Sequence, residues 1–198
     1  KKHFNVILGF AGGIMLSVIS FEVIPEIIEM ANKLEKVNLV SSVFLFGILL
    51  FHILSHYFPL HEHGHHEEEH THEHKQHHHK GLGIYGSILI IIHSFIDGLG
   101  IGIGFSISPT LGFAIAIAVL AHNFSDGINT VSTLLHGHYK NWKMNLLFIL
   151  AIAAPALGIY FSQIFQNTFL NSEKFILAYL CFFAGSILYL AISDILPH

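Results

Sequence analysis

The sequence predicts an all-α integral membrane protein, a polytopic bundle of six transmembrane helices with inverted repeats, and three observations predict it. Hydrophobic residues fill 53% of the 198 positions and charged residues only 11%, against the ~25% charged share of an average soluble domain. Six apolar stretches are long enough to cross ~30 Å of hydrocarbon, a span that takes about 20 helical residues. Two of those stretches carry the same set of polar residues at the same spacing, although polar groups are costly inside a bilayer. A closed barrel is excluded because strict apolar/polar alternation is absent. A soluble helical core is excluded because six such stretches leave too little polar surface to cover them.

The helices are expected at about 4–28, 39–58, 83–106, 110–136, 144–166 and 175–196. The first carries Ala11-Gly12-Gly13 and ends around Glu22-Val23-Ile24-Pro25-Glu26. The second follows the polar turn Asn32 to Lys36 and holds His52 and His56 on one face near its end. These two histidines read as interfacial rather than functional. The third carries His93, Asp97 and the series Gly98, Gly100, Gly102 and Gly104, small residues that let membrane helices approach closely. The fourth starts after Ser108-Pro109 and the fifth holds Ala154-Pro155. The sixth carries Phe183-Ala184-Gly185 and ends at Asp194-Ile195-Leu196-Pro197-His198.

Lysine placement gives the orientation. Lys1, Lys2, Lys75, Lys80, Lys140 and Lys143 fall on one side of the membrane, and Lys33, Lys36 and Lys174 on the other. The positive-inside rule puts the richer side in the cytoplasm. All nine basic residues are lysine and the formal charge is −4, so no basic patch points to nucleic acid as a partner. The single cysteine, Cys181, cannot close an internal disulfide. No signal peptide is evident. The missing initiator Met and the abrupt end at His198 lead us to expect a piece of a longer chain.

One transmembrane domain, 1–198, is expected, with a His-rich cytoplasmic loop at 60–81 inside it. The run HEHGHHEEEHTHEHKQHHHK holds His61, His63, His65, His66, His70, His72, His74, His77, His78 and His79, with five glutamates. Such composition cannot form a packed core. Neutral imidazole is the commonest ligand for zinc, copper and nickel, so metal capture is the expectation and a bland polar linker the alternative.

Internal symmetry singles out the chemistry. His93-Ser94-Phe95-Ile96-Asp97-Gly98 on the third helix and His122-Asn123-Phe124-Ser125-Asp126-Gly127 on the fourth both read H-x-F-x-D-G. The first and sixth helices pair less exactly, Phe10-Ala11-Gly12 with Phe183-Ala184-Gly185 and the EVIPE segment with DILPH. Both pairs run antiparallel, the pattern of inverted-repeat transporters, whose binding sites lie near the midplane. A carboxylate at the bilayer centre costs ~2.5–3.5 kcal/mol even on the lenient insertion scale, and no lysine lies on either helix near Asp97 or Asp126. Each has instead a histidine four residues earlier, on the same helical face. If the two faces meet, His93, Asp97, His122 and Asp126 form a His2Asp2 cage that suits zinc or another first-row divalent ion. Two carboxylates neutralise a dication. Ser94 and Asn123 stand beside the histidines as outer partners or ligands of a second ion. The bland alternative has the histidines bonded to backbone carbonyls. Glu22 and Glu26 at the outer mouth, and Asp194, His198, His136 and His138 at the inner one, are candidate stations on the path, or ordinary interfacial residues.

These residues resemble the Zrt/Irt-like (ZIP) family of divalent-metal transporters. The resemblance covers essentially the whole chain and rests on HSFIDG with its glycine series, HNFSDG, the His-rich loop, and the AGGIML…EVIPE and AGSILY…DILPH segments. It implies eight helices, of which the six here match the second to seventh. It implies a prokaryotic protein of the bacterial or archaeal plasma membrane, often a homodimer. It also implies that His93, Asp97, His122 and Asp126 are the primary transport site, with the two aspartates shared with a second ion. Where some members place Glu before a proline to complete that second site, this chain has Ala154-Pro155.

The expected function is therefore transport of zinc, or of iron, manganese or cadmium, into the cytoplasm by alternating access. The metal is then a transported ligand and not a catalytic cofactor, and the partners are divalent ions and the lipid bilayer. The alternative is a membrane-embedded zinc hydrolase, which needs an open coordination position and a general base. No HExxH is present, so an enzyme is not expected.

Overall fold

A computed structural model describes residues 2–57, 79–136, 141–166 and 172–195. Every regular element among them is helical: α1 Lys2–Val18, a π-helical turn Ile19–Val23, α2 Ile24–Leu34, α3 Val37–Tyr57, α4 His79–Ile107, α5 Pro109–His136, α6 Asn141–Gln166 and α7 Glu173–Ile195. Because α1, the π turn and α2 are continuous, these segments make six rods, as the sequence predicts. Five segments among the described residues are long and apolar enough to cross a membrane: Gly9–Leu34, Val37–His56, Gly86–Ile107, Asn145–Ile164 and Glu173–Ser193. The apolar start of α5 adds Pro109–Asn123.

Local chemistry explains the joints. Pro25 has no N–H to bond one turn back, and the ladder shifts ahead of it, with the Ile24 N–H reaching the Ile19 carbonyl across a π turn. The first rod therefore runs on to Leu34, beyond the expected end at 28. Glu35 closes it in the left-handed region, φ 55° and ψ 41°. Its N–H and that of Lys36 cap the last carbonyls. A single residue, Ser108, separates α4 from α5; its Oγ accepts the Leu111 N–H at 3.1 Å, and Pro109 takes the first helical position. No proline interrupts 79–107, and α4 begins at His79, so the helix takes in His79, Lys80 and Gly81, three residues expected in the loop. The rest of the His-rich run lies outside the described residues.

Two parallel helix pairs organise the bundle. Along α3 and α7, contacts advance in the same sense: a Cβ on Gly47 would meet the Phe182 carbonyl at 2.5 Å, and Ser55 reaches Tyr189. Along α4 and α6, a Cβ on Gly98 would strike the Pro155 backbone, and one on Gly102 the Ser162 side chain. Small residues thus set backbones nearly in contact, as membrane packing requires where no hydrophobic force acts between helices. A core of Met15, Ile19, Val23, Ile115, Leu180 and Ile187 joins the first rod, α5 and α7. Outside it, Phe10, Phe21, Leu120, Ile152 and Trp142 are exposed, the apolar exterior of a protein whose solvent is lipid. The chain is an integral membrane protein.

Candidate metal centre

The paired sequence segments meet where α4 and α5 cross. His93 and Asp97 lie one turn apart on α4 and face His122 of α5. The Asp97 Oδ2 is 3.3 Å from the His93 Nε2 and 3.1 Å from the His122 Nε2. The two imidazole rings lie 5.4 Å apart, tilted by 36°. One ligand atom from each of the three residues falls within 4.8 Å of the others, the only group of three or more such residues among those described. The site is deep: the side chains of Asp97 and His122 are 1% and 2% exposed and that of His93 13%.

Hydrogen bonding fixes what His122 offers. The Ala118 carbonyl, one turn back, lies 3.0 Å from Nδ1 and accepts its proton. That bond sets the tautomer and leaves the Nε2 lone pair aimed at the Asp97 carboxylate. Two electron-rich atoms 3.1 Å apart in a buried place need a positive charge between them. A divalent cation or a proton supplies it, and the donor set of two imidazoles and a carboxylate is a transition-metal set.

The other expected residues divide clearly. Ser94 is buried beside the site. Asn123 is half-buried, and its Oδ1 has no hydrogen-bond partner. Asp126 lies on α5 one turn beyond His122, but its side chain is outside the described residues, as are those of His136 and Asp194. His138 and His198, and loop histidines 61–78, lie outside them entirely, and His79 is placed only as helix backbone. Glu22 stands in the π turn and Glu26 in the first turn of α2, both half-buried, and neither joins the cluster.

Two further residues were not singled out in the sequence. Tyr179 of α7 donates its hydroxyl proton to the Ile96 carbonyl at 2.5 Å, next to Asp97. Its signal was legible in principle, since a phenol within an apolar span must find a partner. Phe51 of α3 sets its ring edge-on to His93, with centroids 5.3 Å apart at 67°. Nothing marks a phenylalanine in an apolar helix, so no sequence signal was available for it.

Comparison with known proteins places this architecture. The family model described as "ZIP Zinc transporter" matches residues 59–198, a stretch that contains α4 to α7 and all three clustered ligands. Among curated relatives, the zinc transporter zipt-7.1 of Caenorhabditis briggsae is 26% identical over 107 residues, 54% of this chain and 27% of that protein. The metal cation symporter ZIP14 of Xenopus tropicalis is 30% identical over 107 residues, 54% of this chain and 22% of that protein. The human zinc transporter ZIP4 is 32% identical over 106 residues, 54% of this chain and 16% of that protein. The matched stretch is thus about a quarter or less of these relatives' length. No solved structure matches. With helices, buried donors and matched stretch in agreement, the chain belongs to the ZIP zinc transporter family.

Proposed function

We propose that the protein carries divalent metal ions, zinc first among them, across the membrane into the cytoplasm. The observation that carries this reading is the convergence of His93, Asp97 and His122 from two membrane helices, with a carboxylate and an imidazole lone pair facing each other in a buried site. Asp126, on the same helix as His122 and one turn on, completes the set to two imidazoles and two carboxylates, which cancels the charge of a dication away from water. The Asn123 oxygen, with no partner, and Ser94 serve as outer ligands or hold a second ion. Glu22 and Glu26 attract hydrated cations at the outer mouth. Asp194, His198, His136, His138 and the His-rich segment receive the metal at the inner one, in a prokaryotic plasma membrane and in a homodimer. Movement of one helix group against the other exposes the site to each side in turn.

A hydrolase would need an open metal position and a spare general base. Among the described residues no further carboxylate accompanies the cluster. Uptake into sealed proteoliposomes across zinc, iron, manganese, cadmium, calcium and magnesium tests the reading. Saturable uptake of the transition ions, lost in Asp97→Asn, is the expected result. Tight metal binding without uptake of any ion would overturn transport and leave a sensor or an enzyme.

A further inference from the structure

Several large apolar side chains of α3 face outward. Leu45, Phe46, Leu49 and Ile53 are each about half exposed, whereas Phe51 is 6% exposed. Part of what covers it is the metal centre: its ring and that of His93 lie 5.3 Å apart at a steep angle, and Phe182 stands 6.3 Å away. His93 is also the least enclosed of the three ligands, at 13% against 1% and 2%. Phe51 therefore sits on the least enclosed of the three ligands, whose ring nitrogens are themselves buried.

Among the described residues, the wall toward α6 is backbone and the wall toward α7 includes a hydrogen-bonded side chain. Toward α6, Gly98 lies against the Pro155 backbone and Gly158 against the Phe95 carbonyl. Toward α7, Tyr179 is bonded to Ile96, and Phe183 packs on Gly100. The α3 wall is different, because the side chain on it, Phe51, lies directly on a ligand and carries no polar group to anchor it, and such a side chain can rotate. One turn further along α3 the surroundings become polar. Ser55 Oγ and Tyr189 Oη share a hydrogen bond of 2.5 Å, and the His52 ring lies edge-on to Tyr189 at 5.7 Å. His52 and His56 are exposed there, on one helical face.

We infer that Phe51 is the gate of the metal site toward the membrane face where α3 ends. Its ring must leave His93 for a divalent transition metal to pass, and the ledge of His52, Ser55 and Tyr189 takes the ion on the far side. The ledge offers an imidazole and two hydroxyls, a weaker donor set than the buried cluster, so an ion passed to it is held loosely and moves on. The inference rests on His93, Asp97 and His122 being the transport site.

The test is metal exchange kinetics on the protein in nanodiscs, with zinc loaded and then removed by a chelator in a stopped-flow instrument. A gate limits both directions equally. Phe51→Ala should speed association and dissociation alike, by about ten-fold or more, and leave Kd within about three-fold. Phe51→Trp should slow both, and Phe51→Leu, close in volume and free of the aromatic edge, should behave as a milder Ala and still fold. In vesicles, an impermeant chelator should strip the Ala variant faster only from the face where α3 ends. Rates within about two-fold of wild type in all three variants would overturn the gate. So would a raised Kd with unchanged association, which marks Phe51 as packing only. Wild-type protein that binds no zinc would overturn the site reading instead, and the two failures are separately visible.

Discussion

Replacing Gly98 with Ala should separate α4 from α6 and damage the metal centre at once. A methyl built on Gly98 would lie 2.7 Å from the Pro155 carbonyl carbon and 2.8 Å from its Cα, with the carbonyl oxygen closer still. Carbon pairs rest at ~3.5–4.0 Å, so the methyl is short of room by roughly 0.7 Å or more. No rotamer relieves it, because every atom it meets is backbone. Gly158 blocks a sideways escape, since a methyl there would meet the Phe95 carbonyl and the Leu99 nitrogen. The helices must move apart, and overpacking of this kind costs about 1–3 kcal/mol. The displaced helix carries Asp97, the very next residue, while His122 stays on α5. Zinc affinity should therefore fall together with stability.

A control lies on the same helix. Gly86 has nothing within 4 Å of an added Cβ, so Gly86→Ala should be neutral or stabilising by up to ~1 kcal/mol through helix propensity. Thermal denaturation in detergent, with and without zinc, reads both effects. If Gly98→Ala melts with Gly86→Ala and binds zinc as tightly as wild type, the two backbones are not in contact and the α4–α6 packing described above is wrong.

Three other outcomes follow from the same geometry. Asp97→Asn keeps the side-chain volume and removes the charge between two imidazoles, so zinc binding by titration should weaken by at least about 100-fold, beyond the 10–100-fold range of outer-shell changes, while the protein stays folded. Tyr179→Phe removes one hydrogen bond to Ile96, and stability should drop by about 0.5–1.5 kcal/mol; a loss of zinc affinity as large as that of Asp97→Asn would instead make Tyr179 a ligand. Deleting His61 to His79 should leave uptake in proteoliposomes working and change its apparent affinity, and complete loss of uptake in a folded protein would put the loop on the path.

What the sequence revealed, and what it concealed, divides by range. Period and composition are local, so the six rods and the H-x-F-x-D-G pair were legible from the chain. The pair predicted that His93, Asp97, His122 and Asp126 face one another, because four-residue spacing fixes a helical face and the cost of a lone buried carboxylate demands a partner; the first three come together, and the Asp126 side chain lies outside the described residues. The helix neighbours were not legible. Gly98, Gly100, Gly102 and Gly104 announced close approach without saying to what, since small residues carry no partner code. Phe51 went unread for the same reason, since its meaning comes entirely from the ring it touches across the bundle.

Those neighbours divide α4 into a fixed side and a replaceable one. Toward α6 it meets backbone with backbone at Gly98 and Gly158, and toward α5 it turns through Ser108 alone. Toward α3 and α7 it meets only side chains: Phe51 on His93, Tyr179 on Ile96, and Phe183 on Gly100. Without hydrophobic force between helices in lipid, nested backbones hold a pair rigid, while aromatic side chains can exchange one set of neighbours for another. If one helix group slides on the other during transport, the slip plane runs along α3 and α7, past the metal. Cross-linking tests this in a background with Cys181 replaced, since it is the chain's only cysteine. Gly102→Cys with Ser162→Cys places thiols across α4 and α6, where a Cβ on Gly102 already lies 2.6 Å from the Ser162 Cβ; the bond should form after a small separation of the helices and leave zinc uptake intact. Gly100→Cys with Phe183→Cys, joined by a short bifunctional reagent, ties α4 to α7 and should stop uptake while zinc still binds. Uptake that survives the second link and dies with the first would put the moving boundary between α4 and α6 and refute the division.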